Sequence, residues 1–277
     1  MQKGLIALDI DGTITDNIYD IPVNVSEFLK SLKIDGWELM FITGRTYSFG
    51  HGTLRNLEFP YFFAVQNGAD ILEMPLKKSV SRHYLSHNVI PVLEEIYQNE
   101  KEDFLIYSGY EKGDFCYYRP SHFSPMLLDY LEVIKKLSPE PWKQVDSFDI
   151  EELMTFPLIK CLGSEEAMTR INRLLKSTSS IHATCIRDPI GEGLYLNLIT
   201  NRDATKGNAL ERIAQLLRIE GPMIAAGDDL NDLSMLEKAD ISIAMETAPK
   251  ELIDKADIVA PSAAKQGIIQ ALQQAIR

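Results

Sequence analysis

Short apolar runs that stop at acidic or hydroxyl-bearing residues set the rhythm of the chain's first third. Residues 5–10, LIALDI, read as a buried strand that ends at Asp9 and breaks at Gly12. Residues 24–35 place Val25, Phe28, Leu29 and Leu32 at helical spacing, and Gly36 follows as a stop. WELMFI (37–42) and YFFAV (61–65) read as two more buried strands, ended by Thr43-Gly44-Arg45 and Gln66-Asn67-Gly68. The last third repeats the alternation. PMIAA (222–226), DISIA (240–244) and DIVA (257–260) are strand-like, separated by helical stretches such as DLSMLEKA and APKELIDKA. A further helix opens near Lys206, with Leu210, Ile213, Leu216 and Leu217 predicted to face the core. Such alternation predicts a doubly wound parallel α/β sheet, whose ligands lie beyond the carboxyl ends of the strands.

The middle of the chain breaks this rhythm. Amphipathic stretches such as PVLEEIYQ and SPMLLDYLEVIKKL mix there with strand-like FCYYR, LIKCLG, HATCIR and LYLNLI. The pattern predicts an α+β domain at 82–201, inserted into a core made of 1–81 and 202–277. Clusters at 138–142 and 176–180 read as its loops. With 277 residues, 45% of them hydrophobic, the chain has enough apolar material for two buried cores.

Charge narrows the range of partners. A net charge of −12 argues against a protein that covers a nucleic-acid backbone, so any cation that handles an anion has to be focused locally. The three cysteines, Cys116, Cys161 and Cys185, are widely spaced with no CxxC pair, and read as buried residues of a reducing compartment. Acids lie within nine residues of the start, which disfavours a signal peptide, and no apolar run reaches membrane-spanning length. A cytoplasmic protein is the expectation.

Two acidic groups stand at the ends of predicted strands: Asp9 and Asp11 in DIDGT (9–13), and Asp228, Asp229 and Asp232 with Asn231 in GDDLND (227–232). Alone, DxD is an acidic turn and GDDLND a helix start that welcomes negative charge. Together, at the carboxyl ends of one sheet, they converge, and a hard divalent cation becomes the natural neutraliser. A few carboxylates with several waters suit Mg²⁺ better than Ca²⁺. Thr43 and Gly44 offer a hydroxyl and backbone N–H groups at a helix start, which suits a phosphate oxygen. Lys206 stands at a helix N-terminus, where a cation is unfavourable unless an anion meets it.

DxDGT, TGR, KG at a helix start and GDxxND, in this order, resemble the haloacid dehalogenase (HAD) superfamily of phosphohydrolases. The 82–201 region resembles the large α+β cap of its Cof-like branch, and Gln66-Asn67-Gly68-Ala69 and Ala256-Asp257 also look like that branch. The resemblance implies a Rossmann-like core, Asp9 as nucleophile and Asp11 as general acid and base. It implies Mg²⁺ held by Asp9, the backbone carbonyl of Asp11 and Asp228, with Thr43, Gly44, Lys206 and Asn231 around the phosphoryl oxygens. Asp229 and Asp232 would support Lys206 or the metal's waters. The implied activity is hydrolysis of a small phosphorylated metabolite, a sugar phosphate or phosphorylated cofactor, through an aspartyl-phosphate. A phosphomutase of the same superfamily is the nearest alternative, and a phospho-accepting receiver module a more distant one.

Two stretches depart from that branch. LNLITNRDATKG stands where LEI-x-P-K-G is usual, with Asn197 at the glutamate position, and AMET (244–247) replaces AMGNA. The first is expected to touch a hinge or substrate contacts, the second a loop near the site. Arg119, His122, Lys160 and Arg187 are the cap's polar candidates for reading a leaving group. The histidines, His51, His83, His87, His122 and His182, form no metal-binding spacing, and the aromatic runs at 61–63 and 117–118 read as core.

Overall fold

The computed structural model describes residues 3–188 and 190–277. Its first stretch contains β1 (Gly4–Leu8), α1 (Val23–Ile34), β2 (Trp37–Ile42), α2 (Tyr47–Leu54), β3 (Tyr61–Val65), β4 (Asp70–Met74) and β5 (Lys78–Arg82). The middle adds β6 (Leu85–Ser86), α3 (Val89–Tyr97), β7 (Phe104–Tyr107), β8 (Cys116–Tyr118), α4 (Pro125–Leu137), β9 (Trp142–Gln144) and β10 (Thr155–Phe156). It continues through β11 (Leu158–Gly163), α5 (Glu165–Leu175), β12 (Ile181–Arg187) and β13 (Tyr195–Asn201). The last stretch holds α6 (Lys206–Leu217), β14 (Met223–Gly227), α7 (Leu233–Leu236), β15 (Ile241–Met245), α8 (Lys250–Ile253), β16 (Ile258–Ala260) and α9 (Gly267–Ala275).

The chain divides into two compact units. The first comprises Met1–Arg45, Gly50–Arg82 and Thr205–Arg277, and the second Thr46–Phe49 and His83–Ala204.

In the first unit, one sheet runs β16-β15-β14-β1-β2-β3-β4-β5. The six strands from β16 to β3 are parallel. β4 and β5 then extend this parallel core as two antiparallel strands. Every residue of β1 is buried, as a central parallel strand covered on both faces requires. On one face Leu5, Ala7, Met40 and Ala225 pack with Leu210 and Ile213 of α6 and Met235 of α7. Leu217 packs against this cluster, but Leu216 is 57% exposed, contrary to the sequence reading. It lies in the last turn of α6, on the flank of the stripe that Leu210, Ile213 and Leu217 form.

The chain leaves β1 toward β2 and β3 in one direction and returns through β14 to β15 and β16 in the other. β1 and β14 therefore flank the switch point where open α/β sheets form their crevice. β1 ends at Leu8, so Asp9 is the first residue past the strand, and its N–H still reaches the carbonyl of Ala226 at 3.0 Å.

The second unit contains a six-stranded sheet in the order β12-β13-β11-β7-β8-β9, antiparallel except between β8 and β9. Leu93 of α3 and Ile171 of α5 bury Phe104 and Ile159 on one face, while Leu127 and Leu131 of α4 bury Leu105 and Leu158 on the other. Tyr117 and Tyr118 are core residues of this sheet, and Tyr61, Phe62 and Phe63 are buried in the first unit. Cys116 and Cys161 are free thiols and buried, and Cys185 is half-buried. Among the described residues no helix is long and apolar enough to cross a membrane.

Candidate active site

Asp9 and Asp228 emerge from adjacent strands at the switch point, because Leu8 and Ala226 are in register across β1 and β14. Asp232 joins them through a short helical turn at Leu230–Asp232. Oxygens from Asp9, Asp228 and Asp232 lie within 4.8 Å of one another. Gly12, at φ +70°, is in close approach to this cluster: a Cβ there would lie 2.1 Å from Asp228 Oδ2. The absence of a side chain lets the DIDG backbone close over the acids.

Lys206 supplies the cation within the cluster. It is 1% exposed, and its Nζ donates to Asp9 Oδ1 at 2.5 Å and Asp232 Oδ1 at 2.5 Å. α6 brings it there. Thr205 caps the helix by accepting from the Asn208 N–H at 3.1 Å, which fixes Lys206 as the first helical residue. Gly207 allows α6 to meet α7 closely, since a Cβ would lie 2.1 Å from the Ser234 carbonyl oxygen. Asp232 is held from its other side, with Oδ2 accepting from the backbone N–H groups of Asp228 at 3.0 Å and Asp229 at 3.1 Å.

One buried cation among these acids leaves negative charge in excess. Burial pushes the Asp9 carboxyl up to about 8 against the pull of Lys206, and the charges of Asp232 and Asp11 add to the rise. Burial, together with the charges of Asp9, Asp232 and Asp229, raises Asp228 well above the usual carboxylate range. Asp229 is raised to about 6, chiefly by burial, although it caps the Leu230 N–H. Burial alone would lower Lys206, but Asp232 and Asp9 outweigh it and raise its pKa.

This arrangement fits a hard divalent cation. The donors are all carboxylate oxygens, their charge is under-compensated, and the glycine backbone closes on them. Asp232 is committed to Lys206 and two backbone N–H groups, so Asp9 and Asp228 are the carboxylates left to hold an ion.

A second turn builds the other wall. Thr43 follows β2, is 1% exposed, and accepts the Arg45 N–H on its hydroxyl at 3.1 Å. Its carbonyl accepts from the Asn67 N–H at 2.9 Å, and Asn67 Oδ1 accepts from Asn231 Nδ2 at 3.2 Å. Gly68, at φ +91°, stands against α6: a Cβ would lie 2.7 Å from that of Ala209 and 3.0 Å from the Thr205 carbonyl oxygen. The Gln66–Gly68 turn thus holds Thr43, Asn231 and the start of α6 together. Sequence reading took these residues only as part of a family pattern. Gly44 lies partly exposed between Thr43 and Arg45.

Asp11 differs from the other acids. Its carboxylate is paired with Arg45: Nε donates to Oδ2 at 2.7 Å and Nη2 donates to Oδ1. Sequence analysis gave Arg45 no role, and nothing in the TGR pattern reveals which way its side chain turns.

Other candidates lie elsewhere. Arg119 is a correction: its guanidinium is bidentate to Asp103 at 2.7 and 2.9 Å, bonds Glu94 at 2.7 Å, and stacks 4.3 Å from the Phe148 ring centre. It serves the interior of the second unit. His122 and Arg187 are exposed, and Lys160 stands 5.0 Å over the Tyr107 ring. Asn197 is an interior residue of the second unit. Fully buried in β13, it accepts from Asn172 Nδ2 at 2.9 Å and donates to the Met168 carbonyl at 2.8 Å. In the AMET stretch, Glu246 pairs with Lys265 at 2.7 Å and accepts the Ser262 N–H at 2.9 Å.

The acids stand at the switch point of a doubly wound parallel α/β sheet, where folds of this class form their ligand crevice. Residues 6–272 match the family of haloacid dehalogenase-like hydrolases, and the chain belongs to it. A phosphoglycolate phosphatase of Archaeoglobus fulgidus is 26% identical over 97% of this chain and 95% of its own. A 5-amino-6-(5-phospho-D-ribitylamino)uracil phosphatase of Bacillus subtilis, YwtE, is 25% identical over 97% of this chain and 96% of its own. Among solved structures, the HAD subclass IIB sugar phosphatase BT4131 superposes with a TM-score of 0.77 at 19% identity, covering 99% of this chain and 100% of that one, which bears on the fold.

Proposed function

We propose that the chain is a Mg²⁺-dependent phosphatase that moves the phosphoryl group of a small phosphorylated metabolite to Asp9 and then to water. The observation that carries this reading is Lys206, buried between Asp9 and Asp232 while Asp228 stands beside them. A fully buried ammonium fixes one oxygen of Asp9 and leaves the other to attack. Asp9 Oδ2 attacks phosphorus as the bond to the ester oxygen breaks, giving an aspartyl-phosphate. Asp11 gives its proton to the leaving alkoxide, then takes one from the water that attacks the intermediate, and inorganic phosphate departs as the Asp9–phosphorus bond breaks.

Thr43, the Gly44 N–H, Lys206 and Asn231 surround the transferring oxygens, where charge stabilisation governs phosphoryl transfer. Asp9, Asp228 and the backbone carbonyl of Asp11 would hold Mg²⁺, which screens the anionic nucleophile from its anionic target. Asp229 and Asp232 support this set, Asp232 through Lys206. The region inserted at 82–201, nearly all of it in the second unit, is read as the domain that sets substrate specificity. Small phosphorylated substrates are supported by the names of the relatives, and the absence of long apolar helices among the described residues is compatible with work in the cytoplasm.

The test is release of inorganic phosphate from p-nitrophenyl phosphate and from a panel of phosphorylated metabolites. Turnover with Mg²⁺, its loss in chelator and its loss in folded Asp9→Asn are the expected results. Unchanged turnover in Asp9→Asn overturns the mechanism. A phosphomutase would return an isomeric phosphate ester as its main product, and a receiver module would stop after about one phosphate per chain.

A further inference from the structure

We infer that Ser234 is a positioning residue for Lys206, fixing in space the start of the helix that presents the ammonium to Asp9. The inference rests on the proposed phosphatase reading and adds to it a residue with no assigned role.

Lys206 is the first residue of α6, the part of a helix most prone to fray because its N–H groups lack partners within the helix. Three N–H groups of this first turn find partners. The Asn208 N–H donates to Thr205 Oγ1 at 3.1 Å, and the Ala209 N–H to the Thr205 carbonyl at 3.0 Å. Both acceptors belong to the residue that precedes the helix, so they fix the shape of the turn and travel with it. The Gly207 N–H donates instead to Ser234 Oγ on α7, at 3.1 Å. Of the three acceptors this one alone comes from another element, and it decides where the turn stands.

The anchor and one of the anions share a short piece of chain. Ser234 lies two residues past Asp232, and α7 begins directly after the turn Leu230–Asp232. The Gly207–Ser234 bond thus ties the backbone beside Lys206 to the chain beside Asp232. From that backbone Nζ reaches Asp232 Oδ1 at 2.5 Å and Asp9 Oδ1 at 2.5 Å. Lys238 adds a second bond from the same side, its Nζ donating to Asn208 Oδ1 at 2.9 Å. That bond joins two side chains and does not hold the backbone.

A lysine side chain is a flexible stem, and its head is placed only as well as the backbone that carries it. Without the Ser234 hydroxyl, the Gly207 N–H loses its acceptor, and the helix start shifts to relieve it. The shift falls on the contact between Nζ and Asp9, and through it on the oxygen that attacks phosphorus. A misplacement of about 1 Å costs up to about 100-fold in rate, and the fall expected here is about tenfold in kcat with little change in KM.

The experiment measures kcat and KM on p-nitrophenyl phosphate with Mg²⁺, inhibition by orthovanadate, and melting temperature. The proteins are wild type, Ser234→Ala, Ser234→Thr and Lys238→Met, assayed well below every melting temperature. Orthovanadate adopts the five-coordinate geometry of phosphorus in transfer, so its affinity reports how well the groups around the transition state are placed. A fall in kcat for Ser234→Ala, an equal weakening of its vanadate inhibition, recovery in Ser234→Thr and wild-type kcat in Lys238→Met are the expected results. Ser234→Ala that melts earlier yet keeps wild-type kcat and vanadate inhibition makes Ser234 a packing residue and overturns the inference. A change confined to KM, or an equal loss of kcat in Lys238→Met, overturns it as well. If Ser234→Ala does not fold, Ser234→Cys keeps the side-chain volume with a much weaker acceptor, and the same comparison decides. Failure of the phosphatase reading is separate, appearing as a wild type without Mg²⁺-dependent phosphate release.

Discussion

Replacing Lys206 by Met keeps the aliphatic stem and removes the one cation that bonds both Asp9 and Asp232. Asp9 is 4% exposed and Asp232 0%, so neither carboxylate recovers solvation from water. Each contact is worth on the order of 5 kcal/mol at an effective dielectric of about 20, and burying the ammonium takes back several kcal/mol. Removing one partner of a buried ion pair typically costs about 3–5 kcal/mol, and that is the expected loss for the first unit in chelator. Trp37, 5% exposed in β2, reports on this unit, and Trp142→Phe silences the other tryptophan. Urea titrations followed by Trp37 emission, with and without Lys206→Met in that background, measure the difference. A loss below about 1 kcal/mol would refute Lys206 as the principal counter-charge of the acids, because no buried pair of this geometry should be so cheap to break. Excess Mg²⁺ restores part of the loss by binding the freed carboxylates of the folded state.

The turn at Gln66–Gly68 gives a second prediction: Gly68→Ala forces a side chain into the left-handed region and against Ala209, lowering stability by about 1–3 kcal/mol, and a melting temperature within a degree of wild type would refute it. Arg119→Met strands Asp103, which is 2% exposed; amide exchange across 104–118 should accelerate, while KM for p-nitrophenyl phosphate stays put, and the reverse pattern would return Arg119 to substrate recognition. His182 is held below its ordinary pKa, first by burial and then by the Lys176 charge, so folding favours the neutral ring. Its contribution is intact above about pH 6.5, the unfolded value, and is lost as pH falls toward the depressed folded value. Melting curves between pH 7.5 and 5 should therefore show a smaller acid-side decline in His182→Gln than in wild type.

The parallel core was readable because buried strands leave a simple signature. WELMFI and YFFAV appear as β2 and β3 with the boundaries their apolar runs suggest, and Asp9, Thr43 and Asp228 stand immediately past β1, β2 and β14. β4 and β5 were not read as strands. KSVSR is polar at four of its five positions and lies partly to fully exposed at the sheet edge, so its pattern resembles loop more than strand. Leu216 shows the same limit from the other side: a leucine next to the buried stripe reads as core until the neighbouring element is known.

The sequence by itself determined which residues stand at the ends of the strands, because hydrophobic runs and the breaks that end them are local properties. It also indicated that Lys206, at a helix N-terminus, needs an anionic partner. Only the tertiary structure decided which anions answer: Asp9 lies 197 residues away and Asp232 26. It likewise divided the acids, committing Asp232 to Lys206, leaving Asp9 and Asp228 with under-compensated charge, and turning Asp11 to Arg45. Side-chain direction and burial set these differences, and both depend on contacts between distant segments rather than on any spacing along the chain.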